Sequence, residues 1–535
     1  MSSTDSYDGI FIGGGHQALV GAAYMAKAGL DVLVLEQDLH VGGGLKTRDV
    51  TGQGFLFNLC AKGHYNITGT PWYGDLNLAD YGLEYIDGET DFAMITKDGD
   101  AVVLGRDTER TLRSIEQISE DDAEQFAQLQ EIANEIVGEI YLPQRFDEPL
   151  PADERRHLLE SSELGRTFLE WTTTPVIHLL NQWFESEEVI LLMMQQMTLF
   201  GEPGEGWEAP SHTGGIARCF ESDYGYEVAK GGSESLAIAL QQAVQQNGGT
   251  VLTNSDVERI GIGDDRATGV TLTDGRQFRA DEFVASGINP HLTFEELVGP
   301  EHIGESFATV VHDFEMEKWS TVHVHFALEE PPEYTDDGGL GVGEAAFQFL
   351  GVNEIDELGE TMESVMKKEL PLPDWVGVNV MTELDPSQAP PGKHVATLMG
   401  PAPYDLRGDS EEWKAASQEI RDHYLDVWRE YAPNMTEDNV IDSYVTHPQR
   451  IASWNPNMVQ GRTHLGEMNG EQVLDKHFGY RTPIDRLYMC GSSSHPGGGI
   501  NGGAGYVAAK IIHEDLGIDP WWDPVDFRAC LENLQ

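Results

Sequence analysis

One stretch constrains the fold of this 535-residue chain more than any other: Tyr7-Asp8-Gly9-Ile10-Phe11-Ile12-Gly13-Gly14-Gly15-His16-Gln17-Ala18, followed by Val32-Leu33-Val34-Leu35-Glu36. Ile10 to Ile12 read as a buried parallel strand that breaks into a tight turn of glycines. Leu19 to Ala28, rich in alanine and leucine, reads as a helix stopped by Gly29. A second apolar run then closes on an acid. Strand, glycines, helix, strand and acid in this register make a dinucleotide-binding βαβ unit. Gly13 permits the turn, Gly15 lets the backbone approach a pyrophosphate, and the helix start aims N–H groups at it. His16 follows the glycines and is taken with them as a cofactor contact, and Ala18 stands as a small residue in the third glycine's place. Glu36 is placed to bind a ribose hydroxyl, which disfavours a 2′-phosphate there.

Val41-Gly42-Gly43-Gly44-Leu45-Lys46-Thr47 follows the acid closely. A second glycine cluster at this point lets the backbone pass near the phosphates or ribityl chain of a long cofactor, which points to FAD more than NAD. Asp49 to Asn66 would then run along the flavin side, with Lys62, His64 and Tyr65 as polar groups facing the ring.

Composition sets this unit in an unusual chain. It carries 91 Asp and Glu against 33 Lys and Arg, a formal net charge of −58. With 40% hydrophobic residues, 11 Trp, 17 Tyr and 20 Phe, it is no acidic disordered chain. The charge implies strong self-repulsion in dilute buffer and relief at molar salt, where the Debye length is about 3 Å. A high-salt cytoplasm is the expected setting. The same charge excludes nucleic acid as a partner, since no basic stripe is available for phosphates. Polar residues Met1 to Asp8 lead straight into the first strand and leave no room for a signal peptide. No stretch approaches the roughly 18 apolar residues of a membrane span, although peripheral membrane contact stays open. Cys60, Cys219, Cys490 and Cys530 form no CxxC pair and read as buried thiols of a reducing compartment, with no metal site.

Beyond residue 100 the pattern turns helical. Asp107 to Glu139 places Leu112, Ile115, Ile118, Phe126, Leu129, Ile132 and Ile136 at helical spacing, and a further helical run covers Pro175 to Phe200. Val189 to Met197, apolar on more than one face, reads either as a core helix or as a flexible wall for an apolar ligand. The nucleotide fold resumes near Ala229. Gly231-Gly232-Ser233 offers a helix cap, and a strand, a meander with an Asp274-Gly275 turn and a return strand at Glu282 to Ala285 follow. Asn254 to Val257 falls where backbone meets adenine. His312 to Val445 alternates strands with a helix from Glu411 to Tyr431, as a second mixed sheet. Gly338 to Gly343 lacks a preceding apolar strand and reads as a loop, so no NAD(P) domain is evident.

Leu487 to Cys490 forms an apolar strand that enters Gly491-Ser492-Ser493-Ser494-His495-Pro496-Gly497-Gly498-Gly499-Ile500-Asn501-Gly502 and an alanine-rich helix. This is a second backbone cradle, able to stabilise negative charge on a reduced flavin. His495 beside it is a candidate for acid–base or flavin-tuning work, or a structural tie for the loop; His64 is the other catalytic candidate.

Taken together, the amino-terminal unit, Gly231 to Ser286 and Gly479 to Lys510 resemble the phytoene desaturase-like branch of the flavin amine oxidase superfamily. Leu180 to Ser186, Asp385 to His394 and Cys490 to Gly499 are similar to its subgroup of pyridine nucleotide-disulphide oxidoreductase domain-containing protein two. The resemblance implies that Gly13, Gly15, Glu36, Gly42, Gly43, Val257, Gly491 and Gly498 to Gly502 hold FAD. It departs at Ala18 and at Gly44-Leu45, where amine oxidases commonly carry Arg. The fold expected is α/β: a discontinuous Rossmann-type FAD-binding domain (1–100, 225–300, 450–535) with a mixed-sheet substrate domain and helical cap (101–224, 301–449). The expected activity is an FAD-dependent oxidation of a largely apolar small-molecule substrate, a carotenoid or other isoprenoid, with oxygen, a quinone or another carrier as electron acceptor. A flavin amine oxidase and an FAD-containing assembly protein without turnover are the alternatives.

Overall fold

The computed structural model describes residues 5–199, 209–335, 339–462 and 464–535. Its first strand, Asp5–Ile12, lies between two parallel neighbours, with Ile10 opposite Leu33 on one side and Val284 on the other. Apolar runs such as Val32–Leu35 are buried on both faces, as strands in the middle of a parallel sheet must be. The sheet runs Thr250–Leu252, Val32–Leu35, Asp5–Ile12, Gln277–Ser286, and Leu487–Met489 also pairs parallel to Gln277–Ser286. Arg266–Leu272 and Val257–Gly263 extend it as an antiparallel meander. Three segments far apart in sequence thus build one Rossmann-type sheet, and the protein is an α/β fold.

The fingerprint helix is His16–Lys27, so it starts directly after Gly15 and not at Leu19. Gly15 stays extended at its N-cap, which leaves the first helical N–H groups facing the glycine turn. This helix packs between Gly503–Leu516 and Glu234–Gln246. The approach is closest at two glycines: a Cβ on Gly505 would stand 1.9 Å from the Gln17 carbonyl oxygen, and one on Gly21 3.2 Å from the Gly505 oxygen. Ser233 occupies the N-cap position of Glu234–Gln246 without capping it. Its hydroxyl donates to the Ala61 carbonyl at 2.6 Å and its N–H to Asn58 Oδ1 at 3.0 Å, so it ties this helix to the segment leading to Lys62.

A second sheet runs Val440–Thr446, Ser320–Leu328, His394–Ala402, Val376–Asn379, Phe347–Leu350, Phe92–Ile95, Ala101–Leu104. All its pairs are antiparallel except Phe347–Leu350 with Phe92–Ile95. Phe92–Ile95, inside the 1–100 segment, is fully paired in the second sheet, with Ala93 and Ile95 buried on one face and Phe92 and Met94 buried against the cap on the other. The helix Glu412–Tyr431 covers one face with wholly buried Trp413 and Trp428.

Residues 108–199 and the short helix Gly215–Tyr224 packed against them form the helical cap. Asp107, Ser119 and Ser162 each accept an N–H from the first turn of the helix that follows them, as N-caps do. Val189 to Met194 and Met197 bury in the core between the cap and the second sheet and do not line the cavity described below, so they form a core helix. No described helix is long and apolar enough to cross a membrane.

Candidate active site

A groove follows the carboxyl ends of the parallel strands, where ligands of open α/β sheets bind. Its first part, of about 200 Å³, is lined by Gly13, Gly15, Glu36, Gly43, Val257 and the segment Trp454 to Asn457. The Glu36 carboxylate accepts the Gly14 N–H at 2.7 Å and the Asp38 N–H at 2.8 Å, which holds it at the strand end. Burial raises its pKa, opposed by those two hydrogen bonds. The second part, of about 260 Å³, is reached past Gly15, Gly43, Gly287, Asn455 and Asn457, which line both. Its lining includes His16, Ala18, Gly42, Gly44, His64, Gly498, Gly499, Ile500 and Asn501.

The two glycine loops fit a long cofactor by their shape. A Cβ on Gly15 or Gly44 would meet nothing within 4 Å, so the backbone there faces open groove. Gly42 at φ +122 takes a backbone conformation that other residues rarely adopt. Nearly 500 residues apart, the loops are stitched together side by side. His16 Nε2 bonds the Gly499 carbonyl at 3.1 Å, and Gln17 donates to Asn501 Oδ1 at 3.1 Å and accepts the Gly505 N–H at 3.2 Å. Trp72 donates to the Asn501 carbonyl at 2.8 Å from behind.

Three of the expected cofactor residues stand behind this lining. A Cβ on Gly491 would lie 2.5 Å from the Gly287 carbonyl oxygen, so Gly491 lets that lining residue sit close. Gly502 takes φ +70 against the Trp72 ring. Thr47 donates to Asn58 Oδ1 at 2.7 Å and accepts the Glu234 N–H at 3.2 Å. Of the Gly338–Gly343 cluster, Gly338 lies outside the described residues; the carbonyls of Leu340 and Gly341 accept from Arg110, and the cluster is a docking corner for that side chain.

The larger cavity is walled by three parts of the fold. Cys60, Lys62, His64 and Tyr65 come from the amino-terminal segment, Thr321, His323, Phe347 and Met399 from the second sheet, and Arg145, Arg218 and Glu221 from the cap. His64 is 1% exposed, with its Nδ1 2.7 Å from the Tyr85 hydroxyl and its Nε2 without a hydrogen-bond partner. Burial lowers its pKa to about 3, so the ring is neutral. Arg145 forks onto Glu221 and donates to the Tyr141 hydroxyl at 2.6 Å. No group of His, Cys, Asp and Glu among the described residues is placed to hold a metal ion.

His495 is elsewhere. It lines a side chamber of about 30 Å³ with Tyr141, Gln144 and Arg145. Its Nε2 donates to the Gln144 carbonyl at 2.6 Å and its own carbonyl accepts from Tyr480, so both ends are tied to the frame. Burial lowers its pKa to about 4. The pattern reading could not separate His495 from the cavity's edge, because its neighbours Gly498 to Asn501 do line it. Asn455, Asn457 and His323 line the groove without any glycine signature in the sequence, the first two within the expected 450–535 segment and His323 on the second sheet.

This groove and sheet define a flavin-dependent oxidoreductase. The chain belongs to the flavin containing amine oxidoreductase family, whose model matches residues 19–505. It is 30% identical to a limonene dehydrogenase chain of Castellaniella defragrans, over 98% of this chain and 98% of that one. It is 27% identical to pyridine nucleotide-disulfide oxidoreductase domain-containing protein 2 of Mus musculus, over 95% of this chain and 94% of that one. The crystal structure of an oxidoreductase from Methanosarcina mazei matches with a TM-score of 0.58 at 17% identity, over 95% of this chain and 99% of the other. The family and the two-loop groove agree on FAD as the cofactor.

FAD is expected to be bound without a covalent link. Cys490 is buried outside the cavity and Cys60, which lines it, has its thiol pushed up to about 11 by burial, so neither offers a thiolate. Acid precipitation should give a yellow supernatant over a colourless pellet. Flavin retained in the pellet would reverse this and point first to Cys60.

Proposed function

We propose that this enzyme is an FAD-dependent dehydrogenase of the desaturase type, acting on a small, largely apolar organic molecule of the isoprenoid class. The observation that carries the reading is the charge of the cavity wall. Its cationic residues are Lys62, Arg145 and Arg218, while its acid, Glu221, is engaged by Arg145. A substrate ammonium would meet like charge there, which disfavours amine oxidation. Phe347, Met399, Met458 and Leu465 supply apolar surface beside the cofactor loops. The Castellaniella relative, named a limonene dehydrogenase, supports the same class.

Bound FAD supplies two-electron acceptance for C–H oxidation. The chain's own residues orient the substrate and exclude water. His64 lines the cavity as a neutral ring held at Nδ1 by the Tyr85 hydroxyl and serves as a positioning residue there. His495 acts as a positioning residue that anchors the cofactor loop to Gln144. Electrons then leave to oxygen, a quinone or another carrier.

The test is an anaerobic screen at molar salt for compounds that bleach the flavin. Compact isoprenoids should bleach it. Bleaching by primary amines alone would install the amine-oxidase reading, and a flavin silent to every compound would favour an assembly role. NADH and NADPH belong in the same screen. With the single dinucleotide fingerprint given to FAD, neither should lower the flavin band in stopped-flow mixing without oxygen, and rapid saturable bleaching by either would turn the reaction toward double-bond reduction.

A further inference from the structure

Lys62 and His64 stand two apart on the segment that leads into the short strand His64–Tyr65. Gly63 is there for space: a Cβ would stand 2.1 Å from the Tyr226 ring. Both Lys62 and His64 are buried, and both line the larger cavity.

Lys62 Nζ lies 3.1 Å from the Cys60 carbonyl oxygen and 3.1 Å from His323 Nδ1. That same Nδ1 is 3.0 Å from the Leu59 carbonyl oxygen, and His323 Nε2 is 2.9 Å from Thr321 Oγ1. When Nδ1 carries the ring proton it donates to Leu59, and Lys62 keeps only the Cys60 carbonyl. When Nε2 carries it, Nδ1 accepts from Lys62. An ammonium has three N–H donors, so in either tautomer at least one finds no acceptor among the described residues. The electrostatic neighbour of the amine is Cys60, not a carboxylate. A buried donor without an acceptor is destabilising, and an apolar group packed against it would leave it so. An oxygen of the substrate or of the flavin would satisfy it, and the two are separated by whether the Lys62 side chain decides ligand preference.

We propose that the substrate is oxygenated, an apolar isoprenoid-sized skeleton bearing a carbonyl or hydroxyl oxygen, and that Lys62 is the residue that receives this oxygen. The assignment rests on the dehydrogenase reading for the site it concerns and narrows the substrate class within it. A site built to hydrogen-bond an oxygen discriminates strongly against the analogue lacking it, because its own polar groups are left unpaired. Lys62 is thus a specificity-determining residue, and its partners His323 and Cys60 hold the amine in place.

The test is binding, read independently of turnover. FAD-loaded protein at molar salt is titrated calorimetrically with menthone and with its isostere in which an exocyclic methylene replaces the carbonyl oxygen. The wild type should bind the ketone at least about tenfold more tightly, equal to about 1.4 kcal/mol. In Lys62→Met, which keeps length and loses every donor, the preference should fall to within about twofold. Equal binding of the two ligands by the wild type, or an undiminished preference in Lys62→Met, overturns the proposal.

If Lys62→Met fails to hold FAD, the wild type alone decides by pH. Burial lowers the Lys62 pKa to about 8. The charged donor is present below that value and lost above it, and charge-assisted hydrogen bonds are the stronger ones. Of the groups facing Lys62, the Cys60 thiol is pushed up to about 11, and His323 and His325 are held far below the usual histidine value by burial and by Lys62 itself. The ketone preference should shrink at least about threefold from about pH 6.5 to about pH 9.5; a flat preference overturns the proposal. Failure here is separable from failure of the dehydrogenase reading. Isosteres that bind equally while bleaching the flavin remove the Lys62 assignment alone. A ketone that binds preferentially yet never bleaches it supports Lys62 and removes the dehydrogenase.

Discussion

Gly505→Val is expected to yield protein without bound FAD, and little of it folded. The helix Gly503–Leu516 crosses the fingerprint helix where a Cβ on Gly505 would stand 1.9 Å from the Gln17 carbonyl oxygen and 3.0 Å from the Gly21 nitrogen. These are backbone atoms of a helix buried in the core, so the clash is relieved only by parting the two helices. Parting them also breaks the bonds from His16 and Gln17 to Gly499 and Asn501, which bring the two cofactor loops together. Even Gly505→Ala should cost about 3 kcal/mol, at the upper end for overpacking. The measurement is the flavin-to-protein absorbance ratio after gel filtration, with Gly74→Ala as control, since a Cβ there meets nothing within 4 Å. A Gly505→Val protein with full flavin content would refute the close crossing.

Lowering potassium chloride from molar to about 0.1 M should depress the melting temperature by about 10 °C or more, as the Debye length grows from about 3 to about 10 Å. With 33 basic residues for 91 acidic ones, the chain carries a net excess of 58 negative charges, which repel one another across the surface. Ion pairs such as Arg145 with Glu221 are buried within the fold and change little with salt. Repulsion among the unpaired surface carboxylates therefore outweighs them, and screening removes it. A melting temperature flat over this range would remove the high-salt reading.

Ile10 to Ile12, Val32 to Leu35 and Leu487 to Met489 were legible as parallel strands because central strands of a parallel sheet are apolar throughout. Gly13, Gly15, Gly42 and Gly43 stand out in the sequence as two clusters around an acid, and all four line the groove. Less legible was the first domain boundary. Phe92–Ile95 is apolar and strand-like, and nothing local says which of two sheets it joins; its partner Phe347–Leu350 lies about 250 residues onward. Ser233 reads as a cap by its position, but its hydroxyl is taken by Ala61, a contact that exists only once the helix docks.

What the sequence by itself determined is the nucleotide-binding unit, its family and its cofactor, since these rest on local spacing of glycines, apolar runs and one acid, and local spacing survives without the fold. The walls of the cavity were decided by tertiary structure alone. Lys62, His323 and Arg145 come from the amino-terminal segment, a strand of the second sheet and the cap, and each is an ordinary residue in its own stretch of chain. The same holds for the histidines: His64 faces the cavity and His495 a side chamber. Burial lowers both pKa values far below the ordinary one, and that burial is created by residues hundreds of positions away.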